Sequence, residues 1–164
     1  MKNRAGFTKV ELLVVGAIIG ILGLMAIVAV STARARTRDA VRLSDIRQIQ
    51  NGLELYFIDN NQYPVTSEGI ALGIASSSCL TIDGFSTFCA SDDSVYLKNV
   101  PAAPTAGLTG AVTCSGVTDA YCYLATEEIY AIEFELEYSN PLLALQKGVN
   151  CALPSELKAG KCSP

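Results

Sequence analysis

Glu11 stands at the leading edge of an apolar run, residues 12–33, that holds 22 residues without one charged side chain. A carboxylate in that position loses hydration and is costly unless something neutralises it. The chemistry open to it is ion pairing with a cation inside a dry bundle, where opposite charges attract far more strongly than in water. Other candidate chemistry is thinner. The chain has no histidine, which excludes Ser-His-Asp and Cys-His nucleophilic sites. Glu133, Glu135 and Glu137 occupy alternate positions, so a strand would put all three on one face, and a solvated face is expected there rather than a paired-carboxylate catalyst. Asp92-Asp93 offers a cation two adjacent acids, short of the roughly six to eight oxygens that calcium takes. No phosphate-binding glycine loop is present. The expectation is a protein that is not an enzyme, with no cofactor and no metal.

Cys79, Cys89, Cys114, Cys122, Cys151 and Cys162 are the six cysteines, all in the C-terminal half. Their spacings contain no C-x-x-C and no histidine accompanies them, so a zinc site is not expected. An even number in a small domain reads as a disulfide framework, with many pairings open. The sequential pairing, Cys79–Cys89, Cys114–Cys122 and Cys151–Cys162, closes three short loops and is preferred. Oxidised cysteines put the body that carries them outside the cytoplasm.

These residues must be positioned by a small set of elements. Residues 12–33 make about 33 Å of helix at 1.5 Å per residue, enough to span a bilayer's hydrocarbon core. An ordinary secretory signal has a shorter run of about 7–15 residues and no acid at its edge. No proline occurs before Pro64, so the helix is predicted to continue from Phe7 to about Asp59. Ile46, Ile49, Leu53 and Tyr56 follow 3-4-3 spacing and form one apolar stripe, which should lie on a folded domain. A rod of about 80 Å is too long to be buried there and must project.

Gly16 and Gly20 form G-x-x-x-G, with Gly23 beyond them. They read either as ordinary small residues in a membrane helix or as a site of close helix contact. Asp59-Asn60-Asn61-Gln62-Tyr63-Pro64 is a helix stop. Residues 73–95 read as surface loop, 101–116 as irregular connection and 120–125 as a strand. Tyr130, Ile132, Phe134, Leu136 and Tyr138 alternate with polar and small residues, a period-two strand whose apolar face should pack on the helix stripe. The tail, 140–164, reads as loop clasped by the last cysteine pair. The fold class is α+β: a long N-terminal α-helix, its hydrophobic first half transmembrane, packed on a small antiparallel β-sheet with disulfide-stapled loops.

Net charge is −4 but unevenly placed. Arg34, Arg36, Arg38, Arg42 and Arg47 face only Asp39 and Asp45, whereas from Gln48 onward four lysines oppose thirteen acids. An acidic body argues against a nucleic-acid partner. Arginines beyond an apolar run would by themselves mark a cytoplasmic side. The cysteines contradict that, so the arginines are expected to pack against acidic neighbours or lipid headgroups.

Lys2 and Arg4 in a six-residue head, Gly6, Phe7-Thr8, Glu11 and the run Leu12-Leu13-Val14-Val15-Gly16-Ala17-Ile18-Ile19-Gly20-Ile21-Leu22 resemble the N-terminus of type IV prepilins and type II secretion pseudopilins. The resemblance implies the pilin fold, and cleavage between Gly6 and Phe7 by a membrane aspartyl prepilin peptidase that then N-methylates Phe7. Glu11 would become the fifth residue of the mature chain and pair with the amine of Phe7 on a neighbouring subunit. Lys9 stands where the family usually has an aliphatic residue, and its stem is long enough to snorkel to headgroups. The implied division is a leader, 1–6, a transmembrane or filament-core segment, 7–33, and a pilin-like body, 34–164. Leu55-Tyr56-Phe57-Ile58-Asp59-Asn60-Asn61-Gln62-Tyr63-Pro64, Ser67-Glu68-Gly69-Ile70-Ala71-Leu72 and Tyr96-Leu97-Lys98-Asn99-Val100-Pro101 look like G-type pseudopilins. The missing calcium-ligand segment and the cysteines look more like a pilus subunit.

The resemblance further implies a homo-oligomeric filament, drawn by an inner-membrane assembly platform from a single-pass pool in the cytoplasmic membrane lipid, with the C-terminal body extracytoplasmic. The alternative is a secreted or membrane-tethered, disulfide-stapled binding domain that uses the apolar helix as an ordinary signal or anchor. A conventional cut near Ala33–Ala35 would mark it.

Overall fold

The computed structural model describes residues 8–89 and 95–162. It divides into two compact units, one ending at Ala35 and the other beginning at Arg36. A single helix, α1, runs from Lys9 to Asn60. Thr8 precedes its first turn and accepts the Glu11 amide on its hydroxyl, 3.2 Å away. At the other end Asn61 turns left-handed, φ 54°, and donates its N–H to the Phe57 carbonyl at 2.7 Å. Asn60 Nδ2 donates to the Tyr56 carbonyl at 2.9 Å. Asparagine tolerates that conformation at a helix end better than most residues, so the chain stops where the sequence places its turn formers.

In the first unit the helix displays its apolar side chains: Leu12 and Leu13 are each 72% exposed, and the run stays uncovered as far as Val30. This helix is long and apolar enough to cross a membrane, by length and composition. It runs unbroken through Gly16, Gly20 and Gly23, where an added methyl would meet nothing within 4 Å.

In the second unit the helix has two opposed stripes. Asp39, Arg42, Ile46, Ile49, Leu53 and Tyr56 are buried, while Arg36, Ala40, Ser44, Arg47, Asn51, Leu55 and Ile58 are exposed. Both sets advance by three or four residues, the helical period. Among the described residues ten strands follow: β1 Ile70–Leu72, β2 Cys79–Thr81, β3 Gly84–Ser86, β4 Val95–Leu97, β5 Thr113–Cys114, β6 Val117–Thr118, β7 Tyr121–Ala125, β8 Tyr130–Leu136, β9 Gly148–Ala152 and β10 Leu157–Ala159. The main sheet is antiparallel in the order β1-β7-β8-β9-β10, with a three-stranded sheet β3-β2-β4 and a two-stranded β5-β6 beside it.

The core joins Ile46, Ile49, Leu53 and Tyr56 of α1 to Tyr123 of β7 and to Tyr130, Ile132, Phe134 and Leu136 of β8. The packing of the alternating strand on the helix stripe is therefore as its spacing predicts. Burying each such side chain stabilises the fold by about 1.5–3 kcal/mol. Aromatic rings continue the core: Tyr63 lies edge-on to Tyr130 at 4.8 Å, and Phe85 to Tyr123 at 5.0 Å.

Two expectations are corrected. Residues 73–95 are not simply surface loop, because β2, β3 and β4 form a sheet there with Cys79, Leu80 and Thr81 buried. Residues 140–164 are not loop either, since β9 and β10 complete the main sheet, and Asn150 inside β9 is fully buried. Its side chain explains why: Oδ1 accepts from the Gln146 amide at 2.9 Å while Nδ2 donates to the carbonyls of Gln146 and Gly148 at 2.8 and 2.9 Å. A polar residue that satisfies the backbone inside the strand reads as a loop former from sequence alone.

Candidate functional site

Glu11 lies in the first turn of α1. Its Oε2 accepts from the Thr8 amide and from the Thr8 hydroxyl, both at 2.9 Å. With the return bond from the Glu11 amide to Thr8 Oγ1, this is a reciprocal capping box, each residue satisfying a backbone N–H of the other. Thr8 was missed from sequence as a partner of the acid, although Thr-x-x-Glu ahead of an apolar run is the signature of that motif. Around it Val10, Leu12 and Leu13 are each more than 70% exposed. The carboxylate therefore sits on an uncovered apolar rod with only its own cap as a partner among the described residues. Gly6 and Phe7 lie outside the described residues.

The five arginines divide between two uses. Arg42, wholly buried, donates from Nη1 to Asp39 Oδ1 at 2.7 Å and to Glu137 Oε1 at 2.9 Å. Its Nε donates to the Pro104 carbonyl at 3.1 Å and its Nη2 to the Ala106 carbonyl at 2.8 Å. Arg38 makes a two-pronged pair with Glu137, at 2.7 and 2.6 Å. Asp39 in turn accepts the amides of Glu137 and Tyr138, each at 2.9 Å. The hydrogen bond from Arg38, joined by Arg42 and opposed by burial, holds the Glu137 carboxyl below the usual carboxylate range. Arg34, Arg36 and Arg47 remain exposed.

The expected solvated face of Glu133, Glu135 and Glu137 is corrected by these contacts. Glu135 is only 4% exposed and accepts from the Thr109 amide, the Thr109 hydroxyl and the Ala111 amide at 2.6–3.0 Å. Glu133 accepts the Cys162 amide at 2.9 Å. Glu133 and Glu135 of β8, with Glu137 just past its end, thus hold the connection after Pro101, the Cys162 amide and the arginines of α1. Buried carboxylates need such donors, and the arrangement fixes loops.

Cys79 is bonded to Cys89, Cys114 to Cys122 and Cys151 to Cys162, and no free cysteine remains. Asp92 and Asp93 lie outside the described residues. Among the described residues no group of three or more His, Cys, Asp or Glu side chains is placed to hold a metal ion.

No family model matches the chain, and no solved structure matches it. Curated proteins do. The chain is 33% identical to type II secretion system core protein G of Aeromonas hydrophila over 69 residues, 42% of this chain and 48% of that protein. It is 40% identical to the type IV wide pilus major component PilA4 of Thermus thermophilus over 78 residues, 47% of this chain and 60% of that protein. It is also 32% identical to core protein G of Escherichia coli over 68 residues, 42% of this chain and 47% of that protein. The chain spans about half the length of the curated relatives it matches. These relatives support the pilin and pseudopilin family for this chain.

Proposed function

We propose that this protein is a structural subunit of a type IV pilus or type II secretion pseudopilus, made as a prepilin and polymerised into a filament. The observation that carries the reading is Glu11: an acid on the first turn of an exposed apolar helix, partnered only by Thr8 among the described residues. The names of the relatives agree with it.

Residues 1–6 act as a leader, residues 7–33 anchor the chain in the membrane and form the filament core, and residues 34–164 make the extracytoplasmic body. Prepilin peptidase cuts between Gly6 and Phe7 and methylates Phe7. The cut exposes an α-amine, whose reference pKa of about 7.7–8.0 leaves it mostly protonated near neutrality. When subunits bundle, Glu11 exchanges its cap for that cation on a neighbour, and the low dielectric of the bundle strengthens the pair. Processing is then a prerequisite for assembly, and an inner-membrane platform supplies the subunits. The work is structural rather than catalytic.

Mass spectrometry of the mature N-terminus tests this directly: the expected species begins at methylated Phe7, and a start in the thirties would refute it. Glu11→Ala should still be inserted and cleaved yet enter filaments poorly, as expected when the cation in a dry bundle loses its partner. Gly6→Val should block the cut itself.

A further inference from the structure

We propose that the turn between β8 and β9, residues 138–147, docks on an anionic phospholipid bilayer, with Leu142 entering the apolar layer and Arg36 and Lys147 meeting the phosphates. This surface rests on the reading that residues 7–33 anchor the chain, and gives the body a second, non-spanning contact with the same membrane.

The course of β8 places the turn. The strand starts beside the far end of α1, where Tyr130 meets Tyr63 and the Tyr63 hydroxyl donates to Glu54 Oε1 at 3.0 Å. Just past its end the Tyr138 amide donates to Asp39 and Arg38 pairs with Glu137. β8 therefore runs back along the helix toward Arg36, the first residue of the second unit. Arg36 comes three residues after the apolar run that ends at position 33, about 4.5 Å of helix. Covalent continuity thus keeps this end of the body at the bilayer surface. From Tyr138 to Leu142 four residues of extended chain reach up to about 13 Å further, more than the ~4.5 Å of helix between Asp39 and Arg36.

The turn presents one apolar side chain on a fixed base. Asn140 and Leu145 exchange backbone hydrogen bonds at 2.9 and 3.0 Å. Leu145 is buried in the core and Leu143 packs against it. Leu142, in the helical turn Pro141–Leu143, is 97% exposed, and Tyr138 is 43% exposed. A bare leucine at a tip with a tyrosine at its base suits a membrane interface, the leucine among acyl chains and the ring at headgroup level.

Charge selects an anionic bilayer. No acid occurs from Tyr138 to Ser155, and the nearby Asp39, Glu135 and Glu137 are already bonded within the body. Arg36 and Lys147 are exposed and enter no ion pair among the described residues. The exposed acids Glu127, Glu128 and Glu156 occupy the turns from β7 to β8 and from β9 to β10. Antiparallel pairing puts those turns at the opposite end of the sheet. An acidic body thus offers its cationic end to the headgroups and holds its acids away from them.

The chain contains no tryptophan, so Leu142→Trp and Ile129→Trp each supply a single fluorophore, one in the turn and one at the opposite end of the sheet. Each full chain is reconstituted into vesicles of phosphatidylglycerol and phosphatidylcholine and recovered by flotation. The tryptophan at position 142 should emit at shorter wavelength than the one at position 129, and brominated lipid should quench it. Adding Lys147→Gln should lower the docked-to-free ratio about fivefold, and vesicles of phosphatidylcholine alone should lower it further. Three results in a chain that floats would overturn the docking alone. They are equal access of iodide to both positions, a shift at position 142 without quenching by brominated lipid, as under a protein partner, and no dependence on phosphatidylglycerol. A chain that does not float with the vesicles would overturn the anchor reading and the docking with it.

Discussion

Arg42 shows what a single side chain does in this fold. It is a fully buried cation whose donors meet two carboxylates and two carbonyls. Removing one member of such a buried group leaves the others uncompensated, so Arg42→Ala should lower stability by about 3–5 kcal/mol. Urea unfolding of the detergent-solubilised chain would measure it. The same cluster sets an acid limit. Glu137 is depressed by Arg38 and Arg42, so the folded state binds fewer protons there than the unfolded one. Its contribution is present above the ordinary carboxylate range and is lost as pH falls through the depressed value. A urea midpoint that stays constant on acidification would contradict this. From sequence, the arginines were legible as a group needing acidic partners. Which two are consumed was not, because the carboxylate is 95 residues and the carbonyl 62 residues from Arg42. Glu11 was legible as an acid at the edge of the apolar run, but its local partner Thr8 was overlooked.

Elements were legible in proportion to their length. α1, with 52 residues, and β8, with seven, carry enough repeats of their periods to be found. Strands of two or three residues, such as β2 to β6, contain no measurable period. β9 and β10 were hidden further by the glycine and asparagine that let the chain bend into and hold β9. These last strands rely on a covalent staple, Cys151–Cys162, which closes an 11-residue separation. Replacing both cysteines with serine should cost about 2–4 kcal/mol. Hydrogen exchange should then increase first in β9 and β10, while α1 amides beside Ile46 and Ile49 stay protected. Uniform loss of protection would show that the staple supports the whole sheet instead.

For the molecule as a whole, the tyrosines of the core set an alkaline limit. Burial, aided by Glu54, pushes the Tyr63 hydroxyl up to about 12, and burial pushes Tyr121, Tyr123 and Tyr130 higher still. An unfolded tyrosine ionises near ~10. Above that pH the unfolded chain holds fewer protons than the folded one, so stability falls as pH rises, whereas below it these groups cost nothing. The tyrosinate absorbance of Tyr63, Tyr121, Tyr123 and Tyr130 should therefore appear in one step together with loss of near-ultraviolet circular dichroism. A gradual rise with the tertiary signal intact would be the contrary result. One further property follows from where the cross-links lie. All six cysteines come after α1, so no covalent bridge fastens the helix to the sheet it supports. A tensile load on the subunit would be resisted at that seam by the Arg42 cluster, by interlocked side chains and by hydrogen bonds such as those from Tyr121 to Asp45 and from Gln50 to the Leu153 carbonyl. The body could peel from its shaft under traction and reseat afterwards with every sulfur bond unbroken.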